Sequence, residues 1–218
     1  MYVRHPQCRH NISHAEYSAA IAEGVTNRAS PLTVLGKIQA DITAQYLLDE
    51  FGTFDLVVAS DFDRTHAIPR RLGQLFIIDH RIGERWHGEL HERGSVFFKD
   101  YPHEVVKYRS DYYLYKAPGG ESCPDVETRL AAFLADESLL AGNETVLLSG
   151  HGMSGLCLRK LLMEATINDW QRWFKSKDDE LKNASVTVYQ RHGDYYDLIQ
   201  YNHIPWEGKL EAVAGVAA

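Results

Sequence analysis

The stretch that decides the fold is residues 2–11, which read Y-V-R-H-P-Q-C-R-H-N. It opens with tyrosine and valine, and both side chains favour β-strands. Pro6 biases His5 towards extended backbone and then turns the chain. Arg4 and His5 are therefore predicted at the carboxyl end of a short strand, the edge where open α/β sheets bind ligands. The pair suggests an anion site with a nucleophile or base, although a buried histidine beside a surface arginine would look the same.

The composition indicates an ordinary globular protein. The chain has 218 residues, of which 44% are hydrophobic and 24% charged, and we expect a single domain over residues 1–218. The formal net charge of -7 excludes a general attraction to nucleic acid or to an anionic membrane. An anionic substrate therefore needs a locally positive pocket built from a few specific arginines.

The cysteines indicate the compartment. Cys8, Cys123 and Cys157 are odd in number and far apart, so we expect free thiols in a reducing environment. There is no secretory signal pattern at the start and no apolar run long enough to span a bilayer. These observations predict a cytoplasmic protein. The small, featureless residues 211–218 are predicted to form a frayed tail.

Apolar periodicity predicts an alternation of helices and strands along the chain. The predicted elements are helix 35–51, strand 54–59, helix 64–75, strand 75–78, helix 122–136, strand 144–149, helices 154–163 and 168–175, and a hairpin of strands 185–191 and 195–201. Residues 79–123 are rich in charge, histidine and tyrosine, and we interpret them as an insert over the sheet edge with one helix at 104–115. The predicted fold is α/β, a three-layer αβα sandwich around a mostly parallel sheet.

Three predicted strands end in residues that bind or attack phosphate. Arg4 and His5 follow the first, Arg64 follows the second near a helix N-terminus, and His151 follows a later one. The carboxyl ends of parallel strands share one edge, so these side chains are expected to converge. Two arginines suit the oxygens of a phosphoryl group, and a neutral imidazole can attack its phosphorus.

These residues resemble a known family. The opening stretch resembles the R-H-G-x-T-x-x-N signature of the histidine phosphatase superfamily, the phosphoglycerate mutase-like fold. Further matches follow in the family's order and are L-T-V-L-G-K-I-Q-A at 32–40, S-D-F-D-R-T-H-A at 60–67, G-E-R-W-H-G at 83–88, P-G-G-E-S at 118–122 and S-G-H-G-M at 149–153. The resemblance covers residues 2 to about 163.

The resemblance implies roles for individual residues. His5 is the nucleophile that becomes phosphohistidine. Glu84 protonates the leaving oxygen and then activates water, with Glu89 as the alternative acid. The residues implied around the phosphoryl group are Arg4, Arg64 and His151, then Asn11 and Gln7, with Glu121, Gly152 and Cys8 as further candidates. No metal or other cofactor is implied, because the arginines supply the positive charge.

Two positions depart from the family pattern. Pro6 stands where the signature has glycine, which removes a backbone N–H. Cys8 stands where it has threonine, which exchanges a good hydrogen-bonding hydroxyl for a weak thiol. We expect both departures to affect the reaction rate and the affinity for phosphate, while the nucleophile stays in place.

Other patterns have simpler interpretations. The pairs His87/His91 and His10/His14 have the i, i+4 spacing of helical metal ligands but no obvious third ligand, so we interpret them as surface histidines. Tyr108, Tyr112, Tyr113 and Tyr115 are assigned to the half-buried face of the insert's helix, with a pocket wall as the alternative. Trp170, Trp173 and Phe174 are assigned to the core or to an interface, which leaves a homodimer open.

The sequence therefore favours a metal-independent phosphomonoesterase acting on a small phosphorylated metabolite, in the phosphatase branch of the family. One alternative is a phosphoglycerate mutase, which returns the phosphoryl group to a sugar acid. Another is a catalytically weak module that binds a phosphorylated ligand.

Overall fold

The computed structural model describes residues 1–210, so the predicted tail at 211–218 lies outside the described residues. Its strands are β1 (Tyr2–Arg4), β2 (Leu56–Ala59), β3 (Ile77–Ile78), β4 (Val146–Gly150), β5 (Val186–His192) and β6 (Tyr195–His203). Its helices are α1 (His14–Ala22), α2 (Val34–Phe51), α3 (Ala67–Leu72), α4 (Glu89–Arg93), α5 (Ser95–Asp100), α6 (Pro102–Ser110), α7 (Cys123–Leu134), α8 (Glu137–Leu140), α9 (Gly152–Leu162) and α10 (Ile167–Lys175). None of the helices in this part of the chain is long and apolar enough to cross a membrane.

The strands form one six-stranded sheet in the order β3-β2-β4-β1-β5-β6. β1 and β2 both pair parallel with β4, and β2 pairs parallel with β3. β5 is antiparallel to β1 and to β6, which completes the predicted hairpin. The mostly parallel sheet predicted from the sequence is confirmed. Its topology places the carboxyl ends of β1, β2 and β4 at one edge.

The sheet is covered on both faces, because neighbouring residues of its central strands point to opposite sides. Tyr2 and Leu148 pack on one side in a cluster with residues of α7, α9 and α10. Val3 and Leu147 pack on the other side with residues of α2 and α3. The result is the predicted αβα sandwich.

The 32–40 motif supports the loop that follows His5. Thr33 caps α2 by accepting from the Gly36 amide at 2.9 Å, and its hydroxyl donates to Gln7 Oε1 at 2.8 Å. The Gln7 amide in turn donates to Gln39 Oε1 at 2.8 Å. A Cβ at position 36 would overlap the Gln7 carbonyl oxygen, so this close approach requires glycine. The motif therefore holds the turn that carries the predicted nucleophile.

Several boundaries differ from the prediction. Residues 63–66 form a 3-10 turn, and α3 starts at Ala67, which places Pro69 in its first turn, where its missing N–H does no harm. β3 has only two residues. In the insert, α6 ends at Ser110, so Tyr112 and Tyr113 follow the helix. The short helices α4, α5 and α8 have too few apolar residues to give a periodic pattern.

Candidate active site

A cavity of about 480 Å³ opens at the carboxyl edge of the sheet. Of the residues predicted for the site, those that line it are Arg4, His5, Cys8, Asn11, Arg64, Glu84 and Gly152. They come from β1 and its following loop, the turn after β2, the insert and the start of α9. The sheet topology thus brings together side chains that are far apart in the sequence.

His5 is buried and has one ring nitrogen free. Its Nδ1 atom lies 2.7 Å from the Pro6 carbonyl oxygen. Since a carbonyl only accepts, Nδ1 carries the hydrogen and Nε2 keeps its lone pair. Burial, followed by the charges of Arg64 and Arg4, holds the pKa of His5 well below its usual value. A neutral imidazole with a free Nε2 is the form needed for nucleophilic attack.

The two arginines keep unused donors. Arg4 Nη1 donates to the carbonyl of Leu181, and Arg64 Nη1 donates to the carbonyl of Asn27 at 2.6 Å and to its Oδ1 at 3.0 Å. The Nε atoms of both arginines are buried and have no hydrogen-bond partner within the described residues. An unpaired buried donor costs about 1–3 kcal/mol, which an anion bound beside it would recover.

His151 lies behind His5 rather than on the cavity wall. Its ring is fully buried, 5.1 Å from the ring of His5. Its Nδ1 accepts from Arg64 Nη2 at 3.2 Å, so Nε2 carries the hydrogen and donates to Ser60 Oγ at 2.7 Å. Burial and the Arg64 charge hold its pKa well below the usual value. In this arrangement His151 orients Arg64 and has no free nitrogen for a ligand.

Glu84 is the acidic residue of the insert that reaches the cavity beside His5. Its Oε1 accepts from the amides of Arg85 at 2.9 Å and Ser154 at 3.2 Å, and its Oε2 accepts from the Met153 amide at 3.4 Å. The carboxylate thus sits on the N-terminus of α9, where free amides favour negative charge. Glu89, the alternative acid, forms an ion pair with Arg93 at 3.5 Å and is not among the cavity-lining residues.

Two predicted phosphate-pocket candidates lie elsewhere. The Gln7 side chain accepts from Thr33, as described above. Glu121 pairs with Arg129 Nε at 2.8 Å and accepts from the Trp86 amide at 2.9 Å, in a separate cavity of about 240 Å³. Asn11, in contrast, accepts from the Cys8 amide at 2.7 Å, and its Nδ2 has no partner among the described groups. Its amide donor is therefore unused at the cavity.

The interpretation of His87 and His91 as surface residues is wrong, because both line the cavity, as does His10. Burial lowers the pKa of His87 to about 2 and that of His91 to about 4. The His14 side chain lies outside the described residues. The part of the chain that the structure describes has no group of three or more His, Cys, Asp or Glu placed to hold a metal ion.

Aromatic residues form the part of the cavity wall beside His87, whose ring lies 6.2 Å from that of Tyr112. Tyr112, Trp173 and Phe174 line the cavity, and Phe174 stacks on Tyr112 at 4.5 Å between ring centroids. Tyr112 therefore walls the pocket, which was the alternative interpretation of the tyrosine cluster. Trp170 lies deeper and is fully buried, as predicted for a core residue.

Arg85 holds the insert together, and sequence reasoning missed it. It is fully buried and donates to the carbonyls of Glu121 at 2.9 Å, Tyr112 at 3.0 Å and Tyr115 at 2.5 Å. Its guanidinium also lies 4.6 Å from the centre of the Tyr112 ring. An arginine in a charge-rich stretch gives no sign that it is buried. The only signal was its position next to Glu84.

The fold and the cationic pocket at its sheet edge are typical of enzymes that act on phosphoryl groups. The model of the family "Histidine phosphatase superfamily (branch 1)" matches residues 2–204. The chain belongs to this superfamily and is a phosphatase of the histidine phosphatase type.

Solved structures show the same fold. A mycobacterial glucosyl-3-phosphoglycerate phosphatase, solved in complex with VO3, is 24% identical, with 93% of this chain and 97% of that chain covered and a TM-score of 0.67. The alpha-ribazole phosphatase from Shigella flexneri is 17% identical, with 92% and 94% covered and a TM-score of 0.74. No protein of curated function matches the sequence significantly.

Proposed function

We propose that the protein is a metal-independent phosphomonoesterase that acts on a small phosphorylated metabolite through a phosphohistidine at His5. The observation that carries the proposal is the Nδ1 contact to the Pro6 carbonyl at 2.7 Å, which leaves Nε2 free beside two arginines with unpaired Nε donors. The three free, buried cysteines support an enzyme of a reducing compartment such as the cytoplasm.

In the first step, the Nε2 lone pair of His5 attacks phosphorus and the bond to the ester oxygen breaks. Arg4 and Arg64 stabilise the charge on the equatorial oxygens. Glu84, in its protonated form, gives its proton to the leaving oxygen. The Nδ1–H bond to the Pro6 carbonyl stabilises the positive charge of the phosphorylated ring.

In the second step, the Glu84 carboxylate takes a proton from water as the water oxygen attacks phosphorus. The bond between phosphorus and Nε2 breaks, and its electron pair returns to the ring. His151 holds Arg64 in place throughout through the 3.2 Å contact with Nη2. Both steps use groups that this chain supplies.

The cavity limits the size of the substrate. A volume of about 480 Å³ is in the range of sites for small metabolites. The related structures named above are a glucosyl-3-phosphoglycerate phosphatase and an alpha-ribazole phosphatase, which supports a small phosphorylated metabolite as the substrate class.

The test is hydrolysis of p-nitrophenyl phosphate with EDTA present, for the parent protein and His5→Ala. Activity that survives EDTA and is lost in His5→Ala is the expected result. If the parent protein does not hydrolyse p-nitrophenyl phosphate, the hypothesis of a general phosphatase is wrong. A parent that transfers phosphoryl groups only with a bisphosphoglycerate primer would favour the mutase.

A further inference from the structure

The cavity has a second group of histidines, His10, His87 and His91, which the phosphoryl chemistry does not use. His10 lies in the 3-10 turn after Cys8, His87 in the loop before α4, and His91 in α4. The rings of His87 and His91 lie 4.9 Å apart, and His10 lies 5.1 Å from the ring of Tyr17. Two segments distant in the sequence thus place three imidazoles beside one cavity. We refer to them as the imidazole wall.

Several ring nitrogens of the imidazole wall make no hydrogen bond to the described residues. His91 Nδ1 accepts from the His87 amide at 3.2 Å, so its Nε2 carries the hydrogen, and no described side chain or backbone group accepts from it. The Nδ1 atom of His87 makes no hydrogen bond to a described group, and the ring nitrogens of His10 make none of normal geometry, although the ring lies near the Val25 backbone. Polar groups in a partly buried site are normally paired, which points to a ligand that supplies the missing partners.

The imidazole wall is uncharged at neutral pH. Burial is the main cause of the lowered pKa in all three rings, and the charge of Arg64 adds to it for His10 and His91. A neutral imidazole offers one donor and one acceptor, as a hydroxyl group does. A carboxylate or second phosphate would instead be bound by cations. Tyr17, Asn11 and Asn27 also line the cavity and are neutral hydrogen-bonding groups. The charges that act on the three rings are those of Arg64, Arg85 and Arg9, of which Arg85 already donates to carbonyls and Arg9 to Glu23.

Charges do occur at another part of the cavity, but they are of both signs. Lys175 and Lys177 line it together with Asp179 and Glu180. Asp179 pairs with Arg159 and Glu180 pairs with Lys182, so Lys175 and Lys177 are the cations of this part of the cavity. They come from a different segment from the imidazole wall, where the nearby cation that faces the phosphoryl group is Arg64.

We propose that the imidazole wall binds hydroxyl groups of the leaving group, so that the preferred substrate is the phosphate ester of a sugar or polyol. His91 is the principal specificity residue, because its Nε2–H is a donor fixed by the contact between Nδ1 and the His87 amide. This inference rests on the proposed phosphatase function and adds the substrate class.

The experiment compares two esters that differ in their hydroxyl groups. Glucose 6-phosphate and cyclohexylmethyl phosphate both carry the phosphate on a CH₂ attached to a six-membered ring. The expected kcat/KM is at least about tenfold higher for the sugar, because a site that hydrogen-bonds hydroxyls discriminates against an analogue without them. In His91→Ala the ratio should fall by about tenfold, and His91→Gln, which keeps a side-chain N–H, should restore part of it.

His192→Ala is the matched control, since His192 is an exposed histidine at the end of β5 and is not among the cavity-lining residues. Its ratio should equal that of the parent. Equal kcat/KM for the two esters in the parent, an unchanged ratio in His91→Ala, or a preference for 3-phosphoglycerate over the sugar would overturn the inference. Loss of p-nitrophenyl phosphate hydrolysis in the parent would instead overturn the proposed function, so the two failures are distinguishable.

Discussion

The Nδ1 atom of His5 donates to the carbonyl oxygen of Pro6 at 2.7 Å, the next residue in the chain. Proline at this position removes an amide that the family pattern supplies, but its carbonyl remains and defines which nitrogen of His5 is free. Proline therefore removes one backbone donor of the loop, but it does not change the tautomer of His5, in which Nδ1 carries the hydrogen. The altered R-H-P-Q-C loop is therefore compatible with a functional nucleophile.

The first prediction concerns pH. Burial and the charges of Arg64 and Arg4 lower the pKa of His5, so its neutral fraction should stay near one as the pH falls through 6.5. After correction for substrate ionisation, kcat/KM should show no loss from His5 protonation near pH 6.5. In Arg64→Gln the pKa should rise and the acid limb should move to higher pH. A parent profile that falls with an apparent pKa near 6.5 would contradict this.

The second prediction separates Glu84 from Glu89. An alkyl alcohol leaves poorly without a proton, whereas p-nitrophenolate leaves readily. Glu84→Gln should therefore lower kcat/KM about 10²–10⁴-fold for an alkyl phosphate and much less for p-nitrophenyl phosphate. Glu89→Gln, which alters an exposed ion pair with Arg93, is the control and should behave as the parent. Equal losses on both substrates in Glu84→Gln would argue against proton donation.

The third prediction tests Arg85 as the anchor of the insert. Arg85→Met leaves one buried and two partly buried carbonyls without their donor and should lower the free energy of unfolding by about 3 kcal/mol. Arg85→Lys should recover only part of the lost free energy of unfolding, since one ammonium cannot reach all three carbonyls. Urea denaturation measures the loss. Arg70→Met, at an exposed position of α3, should change stability by less than about 0.5 kcal/mol; a similar small change for Arg85→Met would show that Arg85 is not an anchor.

The fourth prediction concerns Cys8, a residue that is 1% exposed and lines the cavity. Cys8→Ser provides a stronger donor and should lower the inhibition constant of inorganic phosphate about two- to tenfold. Cys157→Ser is the control, because Cys157 is a buried thiol that is not among the cavity-lining residues. Weaker phosphate inhibition in Cys8→Ser would show that its thiol does not face the phosphate.

The sequence predicted the sheet well, and it placed Arg4, His5 and Arg64 at the edge where the cavity opens, because that information is local. Each strand is a short apolar run, and Arg4, His5 and Arg64 follow their strands within a few residues. The 32–40 motif resembles the family pattern, but its physical role is visible only in the structure. The contacts of Thr33, Gly36 and Gln39 with Gln7 cross about thirty residues of chain, beyond what local spacing reveals.

The insert was predicted poorly for a physical reason. Its helices are short, and Arg85 holds the non-helical segment that follows them, so apolar periodicity is weak there. His87 and His91 resembled surface residues because polar side chains that face a cavity give the same pattern as side chains that face solvent. Glu121 resembled a pocket residue from its motif, yet Arg129 on α7 pairs with it.

The most direct measurement is to quench the reaction with p-nitrophenyl phosphate in strong base during turnover and to map the phosphorylated residue by mass spectrometry. We predict one phosphoryl group on the peptide that contains His5, stable in base and lost in acid, and absent in His5→Ala. A phosphoryl group on another residue, or turnover that persists in His5→Ala, would contradict the phosphohistidine mechanism.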